Sequence, residues 1–221
     1  MRTLVYKSIS KPKLFKKQLL IWSQQFREIT FMDSNDYPQE YSNYDCILAV
    51  DALTSIKTDT HNAFEDLKQY QPKKIFLLKG DQLEMHYLNM CDDEFEEDFA
   101  EIFESAIVEE QKEKTLHIQQ RVSKEAYLKK VSKMLDYIHH GDLYEANFCM
   151  EFYAENTSIN PLEKFFKLNE ISQPPFAVYF KNNTQFLLSA SPERYLKKEN
   201  ENLISQPIKG TAKRFSDPVK D

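Results

Sequence analysis

Short apolar runs alternate with amphipathic stretches along this chain, and the alternation predicts its elements. Residues 3–9 read as a strand. Residues 14–26 read as a helix with Leu14, Phe15, Gln18, Leu19 and Trp22 near one face. Apolar runs of strand length follow at 29–32 and 46–50, separated by SNDYPQEYSNYD, whose Ser, Asn, Asp and Pro content marks a loop. Helical spacing returns at 63–70, and 74–78 is a further buried strand. Residues 92–114 are strongly acidic, yet Phe95, Phe99, Ile102, Phe103 and Ala106 recur at helical spacing. The segment therefore reads as an amphipathic helix with its acids facing solvent rather than as a metal cluster.

From residue 115 the pattern sharpens. Residues 116–122 read as a strand, and Ser123 is placed to cap a helix with Glu125 in its first turn. Tyr127, Val131, Met134, Leu135 and Ile138 follow on one face, and Gly141 ends the run. His139 and His140 fall in the last turn, where a protonated ring suits the helix dipole. An extended segment over 142–153 comes next, then a short helix over 161–169 with proline in its first turn. Strands at 176–180 and 185–188 are joined at Asn182-Asn183, a pair that tolerates positive φ. A last strand, 203–205, leads into Gln206-Pro207-Ile208-Lys209-Gly210-Thr211.

Composition narrows the class. Within 221 residues, Lys+Arg 29 against Asp+Glu 35 leaves a net charge of -6. That mild acidity, with no concentrated basic stripe, argues against nucleic acid or an anionic membrane as the main partner. No apolar run is long enough to cross a bilayer as a helix. Three cysteines without CxxC spacing read as free thiols, so a cytoplasmic setting is expected.

Three polar positions stand at strand ends: Glu145, Glu193 and Lys209. A carboxylate and a lysine on neighbouring strands serve as acid and nucleophile, or form an ion pair, and the residues alone leave both open. Phosphate loops, the dinucleotide fingerprint and the serine elbow are absent. Lys209 is unusual in its setting, between a proline that fixes φ and one of only three glycines in the chain.

The order GDLYEANF, then SPERYL, then PIKGT resembles the chorismate-utilising enzymes. That family includes anthranilate synthase component I, aminodeoxychorismate synthase component I and the isochorismate and salicylate synthases. The likeness is carried by residues 115–221, with a looser match chiefly over 45–67. It implies an α+β fold, part of the family's two-layer α/β sandwich, with a mostly antiparallel sheet and helices outside. Residues 1–114 are then the N-terminal region and 115–221 the first part of the chorismate-binding catalytic domain.

Lysine at 209, where anthranilate and isochorismate synthases usually carry alanine, is similar to the aminodeoxychorismate branch. The resemblance implies that Lys209 attacks C2 of chorismate while the 4-hydroxyl leaves, with Glu193 as general acid. Ammonia then attacks C4 and expels the lysine, giving 4-amino-4-deoxychorismate for p-aminobenzoate and folate synthesis. Gly210 and Thr211 would contact the substrate. Because a free lysine is only about 0.1% neutral at pH 7.4, Lys209 needs a base or a lowered pKa. Glu145, where most relatives have glutamine, is expected to lie near it and take its proton. Mg²⁺ is expected too, held by glutamates of a C-terminal half that lies beyond this sequence. A glutamine amidotransferase component II would supply the ammonia. The chain is thus expected to be the N-terminal portion of such an enzyme, inactive by itself.

Overall fold

The computed structural model describes residues 1–37, 43–54, 71–106, 116–206 and 208. The expected helix over 63–70 lies outside them. The described chain divides into two units, Met1–Glu109 with Pro161–Asp221, and Glu110–Asn160. Its strands are β1 (Arg2–Ser8), β2 (Glu28–Asp33), β3 (Cys46–Thr54), β4 (Gln71–Lys79), β5 (Gln82–Leu88) and β6 (Gln119–Gln120). They continue as β7 (Phe152–Tyr153), β8 (Phe176–Asn182), β9 (Gln185–Ser191), β10 (Arg194–Glu199) and β11 (Asn202–Gln206). Four helices are described: α1 (Pro12–Trp22), α2 (Phe95–Glu104), α3 (Lys124–His140) and α4 (Pro161–Ser172).

The first unit is built on a seven-stranded sheet in the order β1-β5-β4-β3-β2-β8-β9, antiparallel at every pairing. Alternation along each strand sends one residue in two to the same face. The register therefore lines up Val5, Met85, Phe76, Leu48, Phe31, Tyr179 and Leu188 in one row across all seven strands. Five of these are fully buried, with Val5 and Leu188 packed against them. α1, α2 and α4 cover that face. Phe165 of α4 meets Phe31 and Tyr179 edge-on, and Trp22 of α1 meets Phe76. The result is α+β with a mostly antiparallel sheet, as expected. The opposite face carries Met32, Phe180 and Leu187, which remain exposed.

β5 and β10 were not anticipated. β5 alternates correctly, with Leu83, Met85 and Tyr87 inward, but its Glu84 and His86 conceal the run. Gly80, at φ 58, turns β4 into it, a conformation that costs glycine little. β10 is polar and mostly exposed, so its strand character comes from pairing with β11 rather than from burial.

Charged groups are buried among the helices. Lys74 of β4 is 3% exposed and lies 2.5 Å from Asp98 and 2.6 Å from Glu94. The Tyr87 hydroxyl donates to the same Asp98 carboxylate at 2.7 Å. The rings of Trp22, Phe26 and Tyr87 surround the ammonium at 5.3 to 5.9 Å. On α1, buried Lys16 pairs with Asp33 at 2.8 Å and with Asp36 at 3.0 Å.

Burial alone lowers the pKa of each lysine, but the facing carboxylates outweigh it and both end above the ordinary 10.5. Burial, seconded by Asp98, also pushes the Tyr87 hydroxyl well above 10.0. The unfolded chain gives up these protons first as pH rises, so the native state then binds more protons and loses stability. The urea midpoint is expected to hold steady near pH 8 and to fall above about pH 10. A midpoint flat to about pH 11 would contradict this account.

The second unit is organised around α3. Ser123 caps it by accepting from the Ala126 N–H, as its sequence position suggested. Gly141 ends it at φ 84, with Gly141 N–H bonded to Ile138 O and Asp142 N–H to Tyr137 O. This is the paired-bond ending that a left-handed glycine allows. Tyr127 packs edge-on against Phe148 at 5.1 Å. Arg121 forks onto Glu151 at 2.9 and 3.2 Å and stacks over Tyr153. The strands expected over 116–122 and 142–153 are paired only as β6 with β7, two residues each. An extended segment becomes a strand only where another supplies hydrogen bonds, and among the described residues of this unit that partner is two residues long.

Candidate functional site

β9 ends at Ser191, and Ser191-Pro192-Glu193 turns the chain into β10. The β10–β11 hairpin then returns it, with Arg194 opposite Gln206. Asn200 sits at φ 54 in the connecting turn, a conformation asparagine accepts. Two residues beyond Gln206, the Ile208 N–H donates to Glu193 Oε1 at 3.1 Å. Two segments far enough apart in sequence to read as separate motifs are therefore joined directly, carboxylate to backbone. Ser191 adds two bonds within the turn: its hydroxyl donates to Glu193 O at 2.9 Å and accepts from Glu193 N–H at 3.2 Å.

Lys209, Gly210 and Thr211 lie outside the described residues, immediately after Ile208. Glu145 belongs to the second unit, exposed in the irregular segment that follows α3. Beside the turn, the Arg194 guanidinium lies over the Phe176 ring at 5.0 Å. Both line a cavity of about 390 Å³ on the sheet face opposite the helices, with Met32, Ile47, Val178, Tyr44 and Asp45. Its mixture of apolar wall and charged rim suits a small amphipathic molecule. A second cavity, of about 280 Å³, opens between α1 and α4 above the Lys16–Asp33 pair.

Cys46 and Cys91 are buried, and burial raises both thiols, so neither is an activated nucleophile. Cys149 is exposed. Among the described residues no three His, Cys, Asp or Glu side chains are grouped to hold a metal ion. None of the described helices is long and apolar enough to cross a membrane.

Sequence reasoning missed Ser191, Lys16, Asp33, Lys74 and Asp98. A signal existed for Asp98, which lies three residues after Phe95 and four before Ile102, on the apolar stripe of its helix. Lys16 offered none beyond its place beside Phe15.

A family model for chorismate binding enzymes matches residues 8–221. The chain belongs to that family. Its relatives include an aminodeoxychorismate synthase component 1 from Escherichia coli, 32% identical over 103 residues, which are 47% of this chain and 22% of that protein. An anthranilate synthase component 1 from Thermus thermophilus is 31% identical over 45% of this chain and 21% of its own. An anthranilate synthase component I-like protein from Synechocystis is 27% identical over 80% of this chain and 37% of its own. The chain thus spans well under half the length of the curated relatives it matches.

Proposed function

We propose that this chain carries the nucleophile and general acid of an aminodeoxychorismate synthase component I, converting chorismate and ammonia to 4-amino-4-deoxychorismate. The observation that supports it is the bond from Ile208 N–H to Glu193 Oε1, which sets the carboxylate against the backbone of the residue before Lys209 in sequence. With Oε1 occupied by the backbone, Oε2 is the oxygen that carries a proton to the departing 4-hydroxyl, which leaves as water. The Lys209 amine forms its bond to C2 as that C–O bond breaks. Ammonia then bonds to C4 as the C2–N bond breaks, the new ammonium gives a proton back to Glu193, and the expelled lysine regains the proton it gave up, so the enzyme returns unchanged. The family resemblance leaves Glu145 as the candidate acceptor of the Lys209 proton.

Magnesium, if bound as the family resemblance implies, neutralises substrate carboxylate. A glutamine amidotransferase is the ammonia source in this reading, and the product feeds p-aminobenzoate and folate synthesis.

The test is the identity of the product. The full-length protein isolated from its source cells, rather than residues 1–221 alone, is given chorismate, magnesium and ammonia and is expected to yield 4-amino-4-deoxychorismate by mass spectrometry. Anthranilate in its place would favour the second reading, to which the Thermus and Synechocystis relatives point. No chorismate-dependent product would defeat both.

A further inference from the structure

Resting on that reading of Glu193, we propose that Ser191 is a positioning residue: its hydroxyl fixes the backbone on both sides of the Glu193 Cα and so aims the carboxylate at the Ile208 N–H. The two bonds differ in what they restrain. Glu193 N–H belongs to the peptide unit before the Cα and Glu193 C=O to the unit after it, and one hydroxyl holds both, at 3.2 and 2.9 Å. Side chains of serine routinely organise backbone two residues on, but here the residue so held is the one with the acid.

The rest of the turn is restrained already. Ser191 is the last residue of β9, in register with Phe176. Pro192 fixes its own φ. Arg194 opens β10 in register with Gln206. Glu193 is the one residue of the turn not held by a strand or a ring, and Ser191 supplies that hold. Without the hydroxyl, Glu193 N–H and C=O lose their partner, the side chain swings with the backbone, and the bond to Ile208 loses its geometry. Ser191 acts through Glu193 and not on the substrate.

The experiment compares Ser191→Ala, Ser191→Thr, Glu193→Gln and the double variant Ser191→Ala with Glu193→Gln in the native protein. Ser191→Ala is expected to lower kcat about 10- to 100-fold with KM for chorismate held within about twofold, the scale of a misplaced catalytic group. Ser191→Thr, which keeps the hydroxyl, should recover most of it. The double variant should match Glu193→Gln alone, because a residue acting through Glu193 has nothing left to position. An unchanged kcat in Ser191→Ala overturns the proposal, as does the same factor lost again in the Glu193→Gln background.

A second readout does not depend on turnover. In Ser191→Ala the Ile208 amide hydrogen is expected to exchange about tenfold faster while the β10–β11 amides keep their protection. If no chorismate is consumed even by the unaltered protein, the functional reading fails, and unchanged Ile208 exchange in Ser191→Ala still sinks the positioning role on its own.

Discussion

Replacing Lys209 with alanine is expected to stop formation of 4-amino-4-deoxychorismate, with turnover down about 10³-fold or more, while chorismate still binds. In the proposed mechanism the Lys209 amine makes and breaks the covalent bond, so nothing else in the motif substitutes for it. Its charge state sets the difficulty. Holding a free lysine neutral at pH 7.4 costs roughly 4 kcal/mol, so the enzyme must lower that demand with a base or an altered environment. Arginine at 209 distinguishes nucleophile from mere cation. A guanidinium keeps the positive charge but does not deprotonate, so Lys209→Arg should be as inactive as alanine. Activity retained in Lys209→Arg, or undiminished in Lys209→Ala, would refute the covalent step. Glu145→Gln supplies the matching control. Any carboxylate close to an amine favours its charged form even as it offers to take the proton, and the two effects move the acid limb of the pH–rate profile differently. A profile that does not move removes Glu145 from the mechanism.

Much of this arrangement was legible because local rules and tertiary packing agree. The helix α3 carried its own start and stop, Ser123 and Gly141, and both behave as their chemistry requires. The β8–β9 hairpin announced itself through alternating residues and an asparagine that now sits at φ 54. What stayed hidden has one physical cause. Pairing and burial of polar groups depend on partners remote in sequence. Asp98 is meaningful only once β4 brings Lys74 beneath α2, and Lys16 only once β2 ends at Asp33. Ser191 looked like part of a motif, but its bonds to Glu193 depend on a turn conformation that sequence spacing does not specify. The extended stretch over 142–153 failed in the opposite sense, having strand-like composition but a short partner.

Among the described charged side chains, the Lys74–Asp98 pair is where loss of one partner should cost the fold heavily. Lys74→Met is expected to destabilise the protein by about 3–5 kcal/mol, because Asp98 is left as a buried carboxylate with, among the described residues, the Tyr87 hydroxyl to satisfy it. Asp98→Asn should cost less. Lys74 then still has Glu94, 2.6 Å away with its side chain 49% exposed, and so remains paired near solvent. Removing both charges together changes the sign of the argument. A buried ion pair gains little over apolar residues of similar volume, since desolvation offsets its attraction. Lys74→Met with Asp98→Leu should therefore recover much of the single-variant loss, the rings of Trp22, Phe26 and Tyr87 packing on the methionine instead of the ammonium. Urea unfolding of the three variants measures this directly. A Lys74→Met cost below about 1 kcal/mol would place the pair with exposed, weakly coupled ion pairs. Losses that simply add in the double variant would show that the two charges do not depend on each other.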